Sequence, residues 1–140
     1  MDGNLDWSHL PLDYQNHLNW YDENITNFHY GINHDTDDFF KTILPLAALK
    51  NEALLNALVG FSAYQSTMQN PDVKIEDFLG YYNKSVMLLL DFLRKWERPD
   101  FSTLMTLLQL AQIEVRHRQY SKRAYIRTNA TGYRNTWAIG

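Results

Sequence analysis

The 140-residue chain contains no cysteine, which excludes disulfides, thiol nucleophiles and cysteine-bound zinc within it. Proline and glycine are scarce, four and six residues, so few points along the chain are forced to turn. The longest purely aliphatic run, residues 86–90, is too short to cross a bilayer. Residues 1–10 carry no basic leader, so secretion and membrane spanning are both disfavoured. Also missing are a GxSxG elbow, a glycine-rich phosphate loop and an HExxH pair. No catalytic set is in view, and no enzyme, cofactor or metal site is expected.

What the chain does have is apolar content of 45% with 14% aromatics, enough for a packed domain. Net charge is −3 but unevenly spread. After residue 100, Glu114 is the sole acid against Arg116, Arg118, Lys122, Arg123, Arg127 and Arg134. Those six are too sparse for a nucleic-acid stripe and read as a solvated, weakly basic tail.

The apolar spacing is helical. Residues 1–12 mix Gly, Asn, Asp and Pro and read as an irregular arm. From Asp13, Tyr14, Leu18, Tyr21, Ile25, Phe28 and Ile32 step by four and three along one face, with Gly31 and Asn33 as the stop. Asp37 or Asp38 is placed to cap a turn over Phe39, Phe40, Ile43 and Leu44, which Pro45 should interrupt. A new start near Asn51 leads into Leu54, Leu55, Leu58, Val59, Phe61 and Ser62, with Gly60 and Ala63 small enough for another helix to approach. Residues 75–96 carry the clearest amphipathic pattern, closed by Pro99.

The last patterned segment, 101–117, is apolar almost all round and is capped by Asp100 or Ser102. Its polar stripe is narrow: Ser102, Thr106, Gln109, Gln112 and Arg116. Such a helix is expected at the centre of a fold, covered on more than one side. This chain is short for that, so Leu104, Leu107, Leu108, Ala111 and Val115 are expected to form a surface that needs a covering partner. A polar residue at Leu108 should unfold the domain or abolish that contact. Glu114 lies on the apolar side and is expected to be a buried polar residue, satisfied by Arg118 or by a tyrosine hydroxyl from another helix.

Other polar groups suit bland roles. His29, His34 and Asp35 lack the further ligands a metal needs. Asp35, Asp37 and Asp38 precede a helix, where capping accounts for them as well as an acid/base pair would. The fold class is therefore all-α, four to five packed helices: an arm at 1–12, a helical domain at 13–117 and a tail at 118–140.

Three segments resemble the opening helices of the fungal-specific transcription factor domain: ILPLAALKNEALLNALVGFSAY (43–64), YYNKSVMLLLDFL (81–93) and STLMTLLQLAQIEV (102–115). Their order and small-residue placement carry the likeness, and Glu114 matches an acidic residue common there. The resemblance implies a regulatory, non-catalytic scaffold in the nucleus, working through helix–helix contacts. Family members bear six zinc-binding cysteines upstream; with none here, no DNA-contact residue is carried over and no direct DNA binding is expected. The family domain also continues through further helices, so the chain reads as its front portion, a truncated gene product. Cover for the apolar helix would come from the missing remainder of a regulator, a protein partner or a homodimer. Two alternatives stay open: a stand-alone helical interaction module, and a small-molecule-binding bundle with Glu114 and Tyr82 inside a pocket.

Overall fold

A computed structural model describes residues 5–30, 38–70, 72, 74, 76–95 and 98–128. Among the described residues there are five α-helices: α1 (Leu12–Asn24), α2 (Leu44–Leu49), α3 (Glu52–Gln69), α4 (Glu76–Arg94) and α5 (Phe101–Thr128). No strand occurs among the described residues, and the architecture is all-α.

The centre of the bundle is α3. Asn51 starts it, accepting from the Leu54 backbone N–H at 3.0 Å, and Glu52 lies in the first turn where negative charge favours the helix dipole. Every residue from Leu54 to Gln65 is buried. α1, α2, α4 and α5 all pack against it. The central position expected for the last helix therefore belongs to α3.

Burial of α3 favours pairing of its polar side chains, although the buried Ser62 hydroxyl makes no hydrogen bond. Asn56 donates to the Glu52 carbonyl at 2.9 Å and accepts from the Tyr14 hydroxyl at 2.7 Å, tying α1 to α3. Ser85 of α4 donates to the Ala53 carbonyl at 2.7 Å. The α3–α4 crossing is close because Gly60 faces it: a Cβ there would sit 3.4 Å from the Tyr81 Cβ.

Several elements differ from the expectations. α1 ends at Asn24 rather than near Gly31, because Ile25 turns to an extended conformation. A 3-10 turn over Asn27–Tyr30 follows. The irregular arm is part of the core: Leu5 and Trp7 are buried, and Trp7 donates its indole N–H to Asn19 at 2.8 Å. Pro45 does not break a helix but sits in the first turn of α2, where its missing N–H has no intrahelical role. A π-helical turn, Phe39–Ile43, leads into α2, and Asp38 ahead of it makes no side-chain cap; it adopts a left-handed backbone with φ 53°. Asp35, Asp37, Ile32 and His34 lie outside the described residues, as do Ile75 and Trp96.

α4 buries Phe78, Ser85 and Leu89 and leaves Leu79, Leu90 and Leu93 two-fifths or more exposed. Lys95 and Asp91 form the expected i,i+4 pair at 3.2 Å. α5 is started by Asp100, whose carboxylate accepts from the Thr103 N–H and hydroxyl, both at 2.9 Å. That backbone N–H holds the Asp100 carboxyl below its ordinary pKa. The helix does not stop near His117 but continues to Thr128. Residues 118–124 (RQYSKRA) are mostly good helix formers with no Gly or Pro, so propagation continues although the apolar period fades.

Candidate interaction surface and apolar cleft

α5 is oriented opposite to its composition. Thr103, Thr106 and Gln109 point inward and are buried, together with Leu110 and Ile113. Thr106 is satisfied within the helix, donating to the Ser102 carbonyl at 2.7 Å. At 100° per residue, the opposite side of the helix carries Phe101, Leu104, Leu108, Ala111 and Val115, spaced three, four, three and four. All five are exposed, Leu104 by 54%, Leu108 by 52% and Val115 by 52%. Leu107 flanks this ridge at 46%. An outward apolar ridge over an inward polar stripe is the reverse of an ordinary surface helix.

The ridge is bordered on one side by α4. Leu110 packs with Ala57 and Leu89, with Tyr82 and Val86 beside them. One turn on, Tyr82 donates its hydroxyl to Glu114 Oε1. Glu114 itself is exposed. Its side chain reaches Tyr82 at the α4–α5 surface, so it needs no burial. The pairing is with a tyrosine hydroxyl and not with Arg118. Partial burial and then the carboxylate acceptor push the Tyr82 hydroxyl up to about 12. The two residues bond to each other at the α4–α5 surface.

On the other side of the ridge lies a cleft of about 260 Å³, lined by Tyr30, Phe39, Phe40, Leu44, Met105, Leu108, Gln109 and Gln112. Its inner wall is aromatic. Tyr30 and Phe40 stack with centroids 4.2 Å apart at 14°, and Phe39 meets Phe40 edge-on at 5.1 Å. Hydroxyls and carbonyls are linked behind that wall. Tyr21 donates to the Phe40 carbonyl at 2.6 Å, and Tyr30 donates to Gln109 Oε1 at 3.2 Å. Burial raises the Tyr30 hydroxyl above its ordinary value, so it stays a donor at any physiological pH.

Gln109 is only 2% exposed, and its amide nitrogen, sealed from solvent, has no hydrogen-bond partner. A buried amide N–H without an acceptor costs about 1–3 kcal/mol. The cleft was not anticipated from the residues, because it joins a helix to a turn more than sixty positions earlier. The signal was there only as glutamines interrupting an apolar helix.

The remaining polar contacts of this region are structural. His29 Nδ1 accepts from the Thr26 N–H at 3.1 Å, and Arg116 donates to the His29 carbonyl at 2.7 Å, fastening the 3-10 turn to α5. No cluster of His, Asp or Glu suited to a metal occurs among the described residues. No described helix is long and apolar enough to cross a membrane.

In comparison with known proteins, a family model described as fungal specific transcription factor domain matches residues 16–129, most of the chain. No curated protein and no solved structure matches it.

Proposed function

The chain belongs to the fungal specific transcription factor domain family, and from that membership we propose that it regulates transcription without catalysis, by docking a helix on the exposed ridge of α5. The observation that supports this mechanism is the inversion of α5, with Thr103, Thr106 and Gln109 spent inward and Leu104, Leu108 and Val115 left in water. Exposing such a row is unfavourable at roughly 25 cal/mol per Å² of apolar area, a debit that a covering helix would remove. The three–four spacing suits a helix crossing at a shallow angle, with side chains set into the gaps between Leu104, Leu108, Ala111 and Val115. Leu90 and Leu93 of α4 are also exposed apolar side chains. The partner is a protein helix, from a longer regulator or a separate subunit, and the place of action is the nucleus. Direct contact with DNA is not assigned to this chain.

The reading is tested by fusing the full chain to an unrelated DNA-binding domain and measuring a reporter in a fungal host. The fusion is expected to shift reporter output relative to the DNA-binding domain alone. The double variant Leu104→Gln/Val115→Gln should remove at least about four-fifths of that shift. Its thermal midpoint should stay close to that of the parent, since exposed substitutions change stability by only about 0.5 kcal/mol. An undiminished shift in the folded variant would remove the ridge from the mechanism.

A further inference from the structure

We propose that the cleft between the Phe39–Leu44 turn and α5 is a binding site for a small, uncharged aromatic compound carrying one oxygen acceptor. The argument begins with size. A cavity on the order of 150 Å³ takes a bare benzene ring, and drug-sized ligands fill roughly 300–1,000 Å³. At about 260 Å³, this cleft suits one ring with a short substituent.

Shape and lining narrow the choice. Phe39, Phe40 and Tyr30 present ring faces and edges in both orientations, the arrangement in which a further ring stacks or inserts edge-on. Leu44, Met105 and Leu108 complete an apolar wall, and the methionine thioether adapts to irregular shapes.

Charge is excluded by what the wall lacks. No lysine, arginine, histidine, aspartate or glutamate lines the cleft among the described residues. A carboxylate or ammonium entering it would lose water without gaining a counter-ion. A neutral ligand pays no such penalty.

Gln112 also lines the cleft but is partly exposed, so water serves its amide; the buried polar group, Gln109, sets the ligand's own polarity. Gln109 uses its carbonyl oxygen on Tyr30 and leaves its amide nitrogen buried and unpartnered in the wall of the cleft. A ketone, ester or amide oxygen would satisfy it once a small rotation of the side chain brings that nitrogen to the cleft surface; a hydrocarbon would leave it orphaned. Polar groups placed this way discriminate by hydrogen bonding, since rejecting them leaves the protein's own donor unpaired. The site is separate from the Tyr82–Glu114 pair and does not depend on a transcriptional role.

The test is methyl NMR of the full chain, titrated with acetophenone, with ethylbenzene as a near-isostere lacking the acceptor, and with benzoate as a charged analogue. Acetophenone is expected to shift the methyl signals of Leu44, Met105 and Leu108 saturably. Ethylbenzene should bind about fivefold more weakly, the worth of one neutral hydrogen bond, and benzoate should not bind. Met105→Trp, which fills the cleft from its rim, should abolish the acetophenone shifts; Gln109→Leu, where it folds, should erase the preference over ethylbenzene. Absence of saturable shifts at those three residues overturns the site. Equal affinity for acetophenone and ethylbenzene overturns the role of Gln109 and with it the ligand class, whether or not either variant folds.

Discussion

His17 shows how one side chain couples the bundle to pH. It is half-buried on α1, its ring edge-on to Tyr81 with centroids 5.3 Å apart. Burial lowers its pKa, and the nearby Asp13 and Asp77 only partly offset that. His29 is lowered in the same direction, again by burial first. For both, the unfolded chain binds protons more readily than the folded one, so stability rises with pH. Their contribution is whole above the ordinary histidine value of about 6.5 and is lost as pH falls through the lower folded values. Urea unfolding between pH 7.5 and 5 should therefore show declining stability on acidification. His17→Gln should flatten the decline, and His17→Gln/His29→Gln should flatten it further. An unaltered slope in the double variant would assign the effect to carboxylates instead.

At the scale of elements, two glycines separate helix propensity from packing. Gly80 in α4 is exposed, with nothing near the position a Cβ would take. Gly80→Ala should stabilise the fold by roughly 0.5–1 kcal/mol, seen as a higher denaturant midpoint at constant slope. At Gly60 a single methyl would meet ordinary van der Waals distances, but the branched Gly60→Val would press on Tyr81 and the Tyr82 backbone. That substitution should destabilise by about 1–3 kcal/mol. Gly60 is the one whose small size was expected to let another helix approach, and the crossing of α3 and α4 is where that happens.

The same distinction explains what could be read in advance. The helical periods, the start near Asn51 and a cap at Asp100 or Ser102 depend on neighbours within one turn and were legible in the sequence; the structure makes Asn51 and Asp100 the caps. Which face of a helix turns inward depends on what covers it. α5 could be read as apolar, but not as turned leucine-side out, because burying Thr103, Thr106 and Gln109 is acceptable only through local bonds and the distant Tyr30. α1 shows the converse limit: its four-and-three pattern ran past Asn24, but the extended Ile25 ended the helix and still buried its own side chain. For the candidate surface, the ridge residues could be named from spacing; the cleft beside them could not.

On the scale of the whole molecule, the fold is organised around a helix that no single neighbour could shield. α1 and α2 flank α3 from the N-terminal side of the sequence, and α4 and α5 from the C-terminal side. The arm completes this enclosure, since Leu5 and Trp7 belong to the same core as Leu54, Leu58 and Phe61. Trp7→Ala should thus cost about 3–5 kcal/mol, the range for a core aromatic, and a calorimetric midpoint would register it as a large drop. A loss under about 0.5 kcal/mol would instead make residues 5–11 a dispensable extension.

An enclosed central helix also has a history during synthesis. α3 is followed in the chain by the two helices with which it makes its most extensive contacts, so it leaves the ribosome with much of its circumference uncovered. At roughly 5–20 residues per second, the stretch from Gln69 to Ile113 takes a few seconds to emerge. For that interval the side chains of Leu54–Gln65 that the finished fold buries stand open to solvent and to adventitious apolar contact.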